Sequence, residues 1–465
     1  MPVPIHRPAL RPHAGRTLAA LLGLAGAACS TPLADPGGAD LAVDLEDTHQ
    51  TVEGFGASLA WYQGALLAHP LADELTEHAF AGLGLDILRF RNRYARSEEP
   101  ADVAEEAAIT ERATESLGHP PRILLSSWSP PAALKAGGRE GCNGNVAACT
   151  LIDDGDGFAY GRFAAYWVES LAFYREAGID PEWISIQNEP DFTPNGWEGC
   201  RFEPAETAQL PGYAEALAAV AGALAEAGDA VGLLGPEPQG VHYDKIPNYL
   251  APLDADLLDG VAYHLYEQGG DGVWDWRSPG PDSYVSAMRG AAAAARGLPI
   301  FQTEFQTDED EFVDGGFETA WLIQNALVDG GVSAFLYWDL VWPNSGLIAL
   351  EGEGDYVLRD QYYALRHFAL HTDPGDVRVG TRTSVPGLRA SAFLAPDGER
   401  LTLVLLNVGD EALSITLDLG ALTGRGGDVF QTEFDPGQSR LWSELGELGE
   451  ALDLPTRSVT TVVVR

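Results

Sequence analysis

Eight short β-branched or apolar runs recur between about Thr51 and Leu350, and Ala/Leu-rich stretches of helical period separate them. The runs are Val52–Ala57, Ile87–Phe90, Arg122–Ser126, Trp183–Gln187, Val231–Leu234, Gly260–Ala262, Pro299–Thr303 and Ala334–Tyr337. Helical period fills Ala164–Glu176, Tyr213–Ala227, Tyr284–Arg296 and Phe317–Asp329, the last leading into the eighth run. Strands that alternate with helices form a parallel sheet with crossover helices. Eight such units in about 300 residues are what a (β/α)8 TIM barrel needs.

Beyond about Arg366 the period becomes two, as in Leu401, Leu403 and Leu405, with turns at Pro396-Asp397-Gly398 and Gly409-Asp410. Arg400–Asn407 followed by Ala412–Leu419 reads as a hairpin, and Ser458–Val464 as a last strand. Leu41–Asp47 has strand character too, so the all-β module is expected to be discontinuous. The expected class is α/β, a barrel with a side β-sandwich. The expected divisions are a signal peptide at 1–29, a linker at 30–40, an N-terminal strand of the side module at 41–50, the barrel at 51–365 and the sandwich at 366–465. A chain of 465 residues that is 45% hydrophobic has material for two such structural units.

Arg7, Arg11 and Arg16, the apolar run Leu18–Ala28 and the small residues before Cys29 describe an export signal. Cys29 stands where a lipoprotein signal places its acylated cysteine, although Gly26 occupies a position usually held by Leu. Lipid tethering through Cys29 and simple cleavage nearby are both compatible with this. The localisation expected is exported, either secreted or lipid-anchored at the cell surface or periplasm. In an exported chain, Cys142 and Cys149 flanking a Gly/Asn-rich loop suggest a local disulfide that leaves Cys200 odd.

With 28 basic and 69 acidic residues the formal net charge is −41. Such a surface repels phosphate backbones, which argues against a nucleic-acid partner, whereas a neutral polysaccharide or oligosaccharide is indifferent to it. A monomer is expected.

Functional residues of a barrel sit at the C-terminal ends of its strands. Glu189 follows the fourth run and Glu304 ends the seventh. A charge directly after an apolar strand is costly to desolvate unless it has a task. Two glutamates on one rim can face each other at the about 5 to 5.5 Å that retaining glycoside hydrolysis requires. Asn188 offers an amide to a sugar hydroxyl. Arg89, Trp128, His264, Tyr266 and Trp338 also fall at strand ends. The aromatics are candidates to stack on pyranose rings, and Arg89 to orient a carboxylate and lower the nucleophile's pKa. His264 is read as a hydrogen-bonding group, since no ligand stands beside it at metal spacing. No metal and no cofactor are expected, because carboxylates and water complete both steps.

Thr51–Ser58 (TVEGFGAS), Leu125–Ala132 (LSSWSPPA), Gln187–Pro190 (QNEP) and Gln302–Glu304 (QTE) resemble, in order, motifs of glycoside hydrolase family 30, over about residues 41–465. The resemblance implies a barrel with a side β-sandwich built from both chain ends, Glu189 as general acid/base, Glu304 as nucleophile and Asn188 on the sugar 2-hydroxyl. Asp191–Glu203 and Tyr337–Trp342 resemble loops of the family's bacterial xylanases. Members that demand a glucuronic acid branch carry an arginine after strand eight, where Val341, Trp342, Pro343 and Asn344 stand here. The function expected is therefore an exported retaining β-glycoside hydrolase acting on plant-type β-linked polysaccharide, xylan foremost. A β-glucosidase or glucosylceramidase, a β-1,6-glucanase, and a non-catalytic surface carbohydrate-binding protein are the alternatives.

Overall fold

A computed structural model describes residues 38–95, 103–266, 280–306, 315–342, 346–352, 354–435 and 439–465. The leader with Cys29, most of the linker, and Pro343 and Asn344 lie outside them. Eight parallel strands close into a barrel: Gly54–Ser58, Ile87–Arg91, Arg122–Ser126, Trp183–Ser185, Gly232–Pro236, Gly260–His264, Ile300–Glu304 and Ala334–Tyr337. The eighth closes on the first through Gly54 opposite Ala334 and Ala57 opposite Tyr337. Gly56 is a close-approach position, since a Cβ there would lie 2.4 Å from the Ile87 carbonyl oxygen.

The two-residue period of the strands divides the interior into layers. Ile87, Leu124, Trp183, Leu234, Ala262, Phe301, Ala334 and Leu336, from seven different strands, form one apolar plug. Two residues further on, Ile87, Leu124 and Ala262 give way to Arg89, Ser126 and His264, so the layer above the plug is polar and also buried. Barrel-covering helices follow the apolar period: Tyr213–Ala227 buries Tyr213, Ala216, Leu217, Val220 and Leu224 on one stripe and ends at Gly228 in the left-handed conformation, φ 72°.

The eight-stranded sheet beside the barrel runs Leu417–Asp418, Leu41–Thr51, Val377–Thr383, Leu388–Leu394, Leu401–Asn407, Ser458–Val464, Gly427–Glu433, Arg440–Glu447. Leu41–Thr51 pairs antiparallel with Val377–Thr383, which joins the two ends of the chain in one sheet. In Leu401–Asn407 the odd positions Leu401, Leu403 and Leu405 enter the sandwich core, and Val404 and Leu406 enter the main core shared with the barrel. Both faces of that strand are therefore covered. His367 pins the joint from the helix Asp360–Ala369: its ring nitrogens lie 2.8 Å from the hydroxyls of Thr461 and Thr432.

Two sequence expectations are corrected. Arg400–Asn407 and Ala412–Leu419 do not form a hairpin. Leu401–Asn407 pairs with Leu388–Leu394 and Ser458–Val464, while Leu413–Ile415 pairs with Leu452–Leu454 in a small second sheet. Short-range turn chemistry is outweighed here by burial of both faces of a central strand. A boundary at 365/366 cuts the helix Asp360–Ala369, and the chain enters the sheet only at Val377. The barrel and the sandwich, which has a core of its own, pack together so that residues 39–465 form one compact unit. Among the described residues no helix is long and apolar enough to cross a membrane.

Candidate active site

Arg89 projects from the second barrel strand and is wholly buried. Its guanidinium meets five partners. Nη1 donates to Glu304 Oε2 at 2.5 Å and to Ser58 Oγ at 3.2 Å. Nη2 donates to Asn188 Oδ1 at 2.6 Å and lies 3.1 Å from Glu237 Oε1, and Nε donates to Ser126 Oγ at 3.2 Å. From the second strand the planar fork spreads these bonds over the first, third, fourth, fifth and seventh strand ends, which a point charge on a lysine could not match.

His264 ends the sixth strand and is also wholly buried. Its Nδ1 faces Glu189 Oε1 at 3.3 Å, and its Nε2 lies 3.7 Å from Glu237 Oε1 and 3.8 Å from Glu304 Oε2. Burial works against charge on this ring, but the Glu304 carboxylate and the contacts with Glu189 and Glu237 raise its pKa to about 9. The imidazolium is thus the form held at neutral pH.

One carboxylate oxygen of Glu189, one of Glu304 and a ring nitrogen of His264 lie within 4.8 Å of one another. A cation could be gathered by such a trio, but Arg89 already supplies positive charge to Glu304, and the carboxylates around His264 favour its charged form. Burial, reinforced by the Glu304 charge and partly offset by His264, raises the Glu189 pKa. Tyr266 hydrogen-bonds Glu304, and burial beside the two glutamates pushes its phenol well above the usual range.

Trp128 stacks on Arg89 with the guanidinium carbon 4.5 Å from its ring, and Trp338 lies 6.0 Å away on the same cation. The structure therefore brings Glu189, Glu304, Asn188, Arg89, His264, Tyr266, Trp128 and Trp338 into one cluster. Trp61, Trp128, Trp338 and Trp342 form an aromatic wall beside it, with Trp61 ring centroids 5.4 to 6.0 Å from the other three.

The loop after the fourth strand is tied to this wall. Its Glu198 accepts from Arg91 at 2.7 Å, and Arg91 lies 4.4 Å over the Trp61 ring. The Cys142–Cys149 disulfide closes a neighbouring loop whose Cys142 N–H donates to the Trp197 carbonyl, and Cys200 is free and buried.

Glu237, Trp61 and Arg91 were not singled out from the sequence, and Trp342 only as part of a loop. A sequence signal existed for Glu237: Gly235-Pro236-Glu237-Pro238 follows the fifth strand run, placing a glutamate shortly beyond an apolar strand as Glu189 is. Trp61 lies beyond the first strand, with only its residue type to mark it.

A closed parallel barrel whose polar rim pairs two glutamates, with a β-sandwich made from both chain ends, is a glycosidase architecture. Residues 375–462 match the glycosyl hydrolase family 30 beta sandwich domain. An endo-1,6-beta-D-glucanase of Aspergillus fumigatus is 24% identical over 326 residues, 64% of this chain and 62% of that protein. A glucuronoxylanase of Bacillus subtilis is 23% identical over 386 residues, 79% and 78% of the two chains. The solved catalytic domain of a family 30 xylanase from Talaromyces cellulolyticus covers 91% of this chain and 99% of its own with a TM-score of 0.71 at 22% identity, a likeness of fold. The comparisons liken the chain to glycoside hydrolase family 30 through its sandwich domain, and to glucanase, glucuronoxylanase and xylanase relatives.

Proposed function

We propose that the protein is an exported retaining β-glycosidase that cleaves xylan without a strict need for glucuronate branches. The observation that carries the mechanism is the separation of Glu189 and Glu304: their nearest oxygens lie within 4.8 Å, a spacing suited to direct attack and too close for the intervening water of an inverting enzyme. Glu304, paired with Arg89 and hydrogen-bonded by Tyr266, is the nucleophile. Glu189, raised in pKa by burial beside Glu304, protonates the leaving oxygen and then takes a proton from water. Asn188, oriented through Oδ1 by Arg89, turns its NH2 group to a sugar hydroxyl.

The xylan reading is supported by the xylanase-like segments Asp191–Glu203 and Tyr337–Trp342 and by the xylanases among the similar proteins. Independence of glucuronate is supported by the sequence Val341–Asn344, which holds no arginine. Export is supported by the basic and apolar leader up to Cys29. The similar Aspergillus glucanase favours β-1,6-glucan as the second reading. Turnover on glucuronoxylan, unbranched xylan, β-1,6-glucan and an aryl β-glucoside, each with the Glu304→Gln variant as control, tests both. Xylans should be cleaved best and the variant should be inactive on all four; a rate on β-1,6-glucan equal to or above that on either xylan would overturn the substrate assignment.

A further inference from the structure

Glu237 lies outside the pair of carboxylates that the cleavage uses, yet it is wholly buried within the same cluster. Its Oε1 lies 3.1 Å from Arg89 Nη2 and 3.7 Å from His264 Nε2, and it accepts from Ser126 Oγ at 3.4 Å. Its main chain takes part as well: the Glu237 N–H donates to the Ala262 carbonyl at 2.9 Å, and the Glu237 carbonyl accepts the Glu189 N–H at 3.0 Å. Both glutamates hold left-handed backbone, φ 61° at Glu237 and 48° at Glu189. Left-handed backbone and a buried carboxylate are each unfavourable for Glu, and they persist where the surroundings over-determine them.

We propose that Glu237 is a positioning residue of the cleavage, a fixed anion that keeps Arg89 and His264 both charged and the site electrically balanced through both half-reactions. This rests on the assignment of Glu189 and Glu304 made above. Before cleavage two cations, Arg89 and His264, face two anions, Glu304 and Glu237, while Glu189 carries its proton. Attack by Glu304 forms a bond to the anomeric carbon and breaks the glycosidic bond, and the leaving oxygen takes the Glu189 proton. Glu304 is then a neutral ester and Glu189 an anion, so the count is again two against two. Water then forms the new bond to the anomeric carbon, the ester bond breaks to restore the Glu304 carboxylate, and Glu189 recovers a proton. Without the Glu237 charge one cation is unmatched at every stage.

The electrostatics agree with that role. Burial alone would raise Glu237, but Arg89 and His264 outweigh it and hold the carboxyl at about 2. The groups facing His264 are Glu189 at Nδ1, Glu237 and Glu304 at Nε2, and the Tyr266 ring, edge-on at 5.9 Å; Arg89 stands beyond the shared carboxylates.

The test replaces Glu237 by Gln, which keeps shape and hydrogen bonding without charge, and by Asp. Ring-nitrogen NMR of the substrate-free full-length protein, with His264→Asn to assign the signal among 10 histidines, follows the imidazole through pH. In the Gln variant the His264 midpoint should fall by about 1 to 3 in pH. Its kcat should fall by about 10²-fold with a much smaller change in KM. Asp should restore part of both. A Gln variant whose His264 titrates as in the parent, or whose kcat stays within about twofold, overturns the proposal. If the Gln variant does not fold, the Asp variant decides: a His264 midpoint that moves down with the withdrawn carboxylate supports the role, and an unmoved one overturns it. The NMR readout needs no turnover, so failure of the underlying assignment is seen separately, as activity retained by Glu304→Gln.

Discussion

Arg89 Nη1 donates to Glu304 Oε2 at 2.5 Å across the barrel interior, and the same guanidinium holds Asn188 Oδ1 at 2.6 Å. One side chain thus fixes the attacking carboxylate and the amide offered to the sugar. Arg89→Lys keeps the charge but loses the fork. It should leave the protein folded and lower kcat by about 10²-fold or more, with misplacement of Glu304 as the cause. Steady-state kinetics with circular dichroism as the folding control checks this; a kcat unchanged by the lysine would remove Arg89 from the mechanism.

Asp86 provides a test of stability. Its Oδ2 accepts the Phe55 N–H at 3.0 Å, and burial raises its pKa to about 8, with Asp373 and Asp376 nearby adding to the rise. A carboxyl whose folded pKa exceeds its unfolded value near 3.9 contributes stability that is complete below about pH 3.9 and is lost as pH rises through about 8. Asp86→Asn keeps the acceptor and has no proton to lose. Urea unfolding should show the Asn variant gaining on the parent from pH 5 to pH 8 and levelling above; an advantage that does not grow with pH would refute the burial argument.

Trp342 is half-buried, with its ring 6.1 Å from Trp338 and 6.0 Å from Trp61, at the outer end of the aromatic wall. Trp342→Ala should raise KM for polysaccharide by about tenfold through loss of an apolar sugar platform. Its kcat on a small activated aryl glycoside should change little. Equal effects on both substrates would place Trp342 in packing rather than in substrate contact.

Much of this architecture was legible because it rests on period. Barrel strands announce themselves as apolar runs, and their ends point to Glu189, Glu304 and His264. Leu41–Asp47 betrayed its membership of the side sheet by strand character just before the barrel, and Leu41 and Val43 enter the sandwich core. Pairing of the C-terminal strands was not legible, since Leu401–Asn407 finds Leu388–Leu394 and Ser458–Val464 rather than Ala412–Leu419, and only burial of both faces decides between them. Glu237 was hidden among 69 acidic residues because its task depends on Arg89 and His264, which the chain supplies from two other strands.

The account turns on Glu304 attacking and Glu189 exchanging the proton, and azide rescue of Glu189→Ala tests it most directly. With an activated aryl β-glycoside the first step needs no proton and should proceed, so the glycosyl-enzyme accumulates. Added azide, a small anion that needs no base and can occupy the vacated space, should restore turnover, and NMR of the product should show a β-glycosyl azide. An α-glycosyl azide, or rescue with retention confined to the Glu304 variant, would contradict the assignment of the two glutamates.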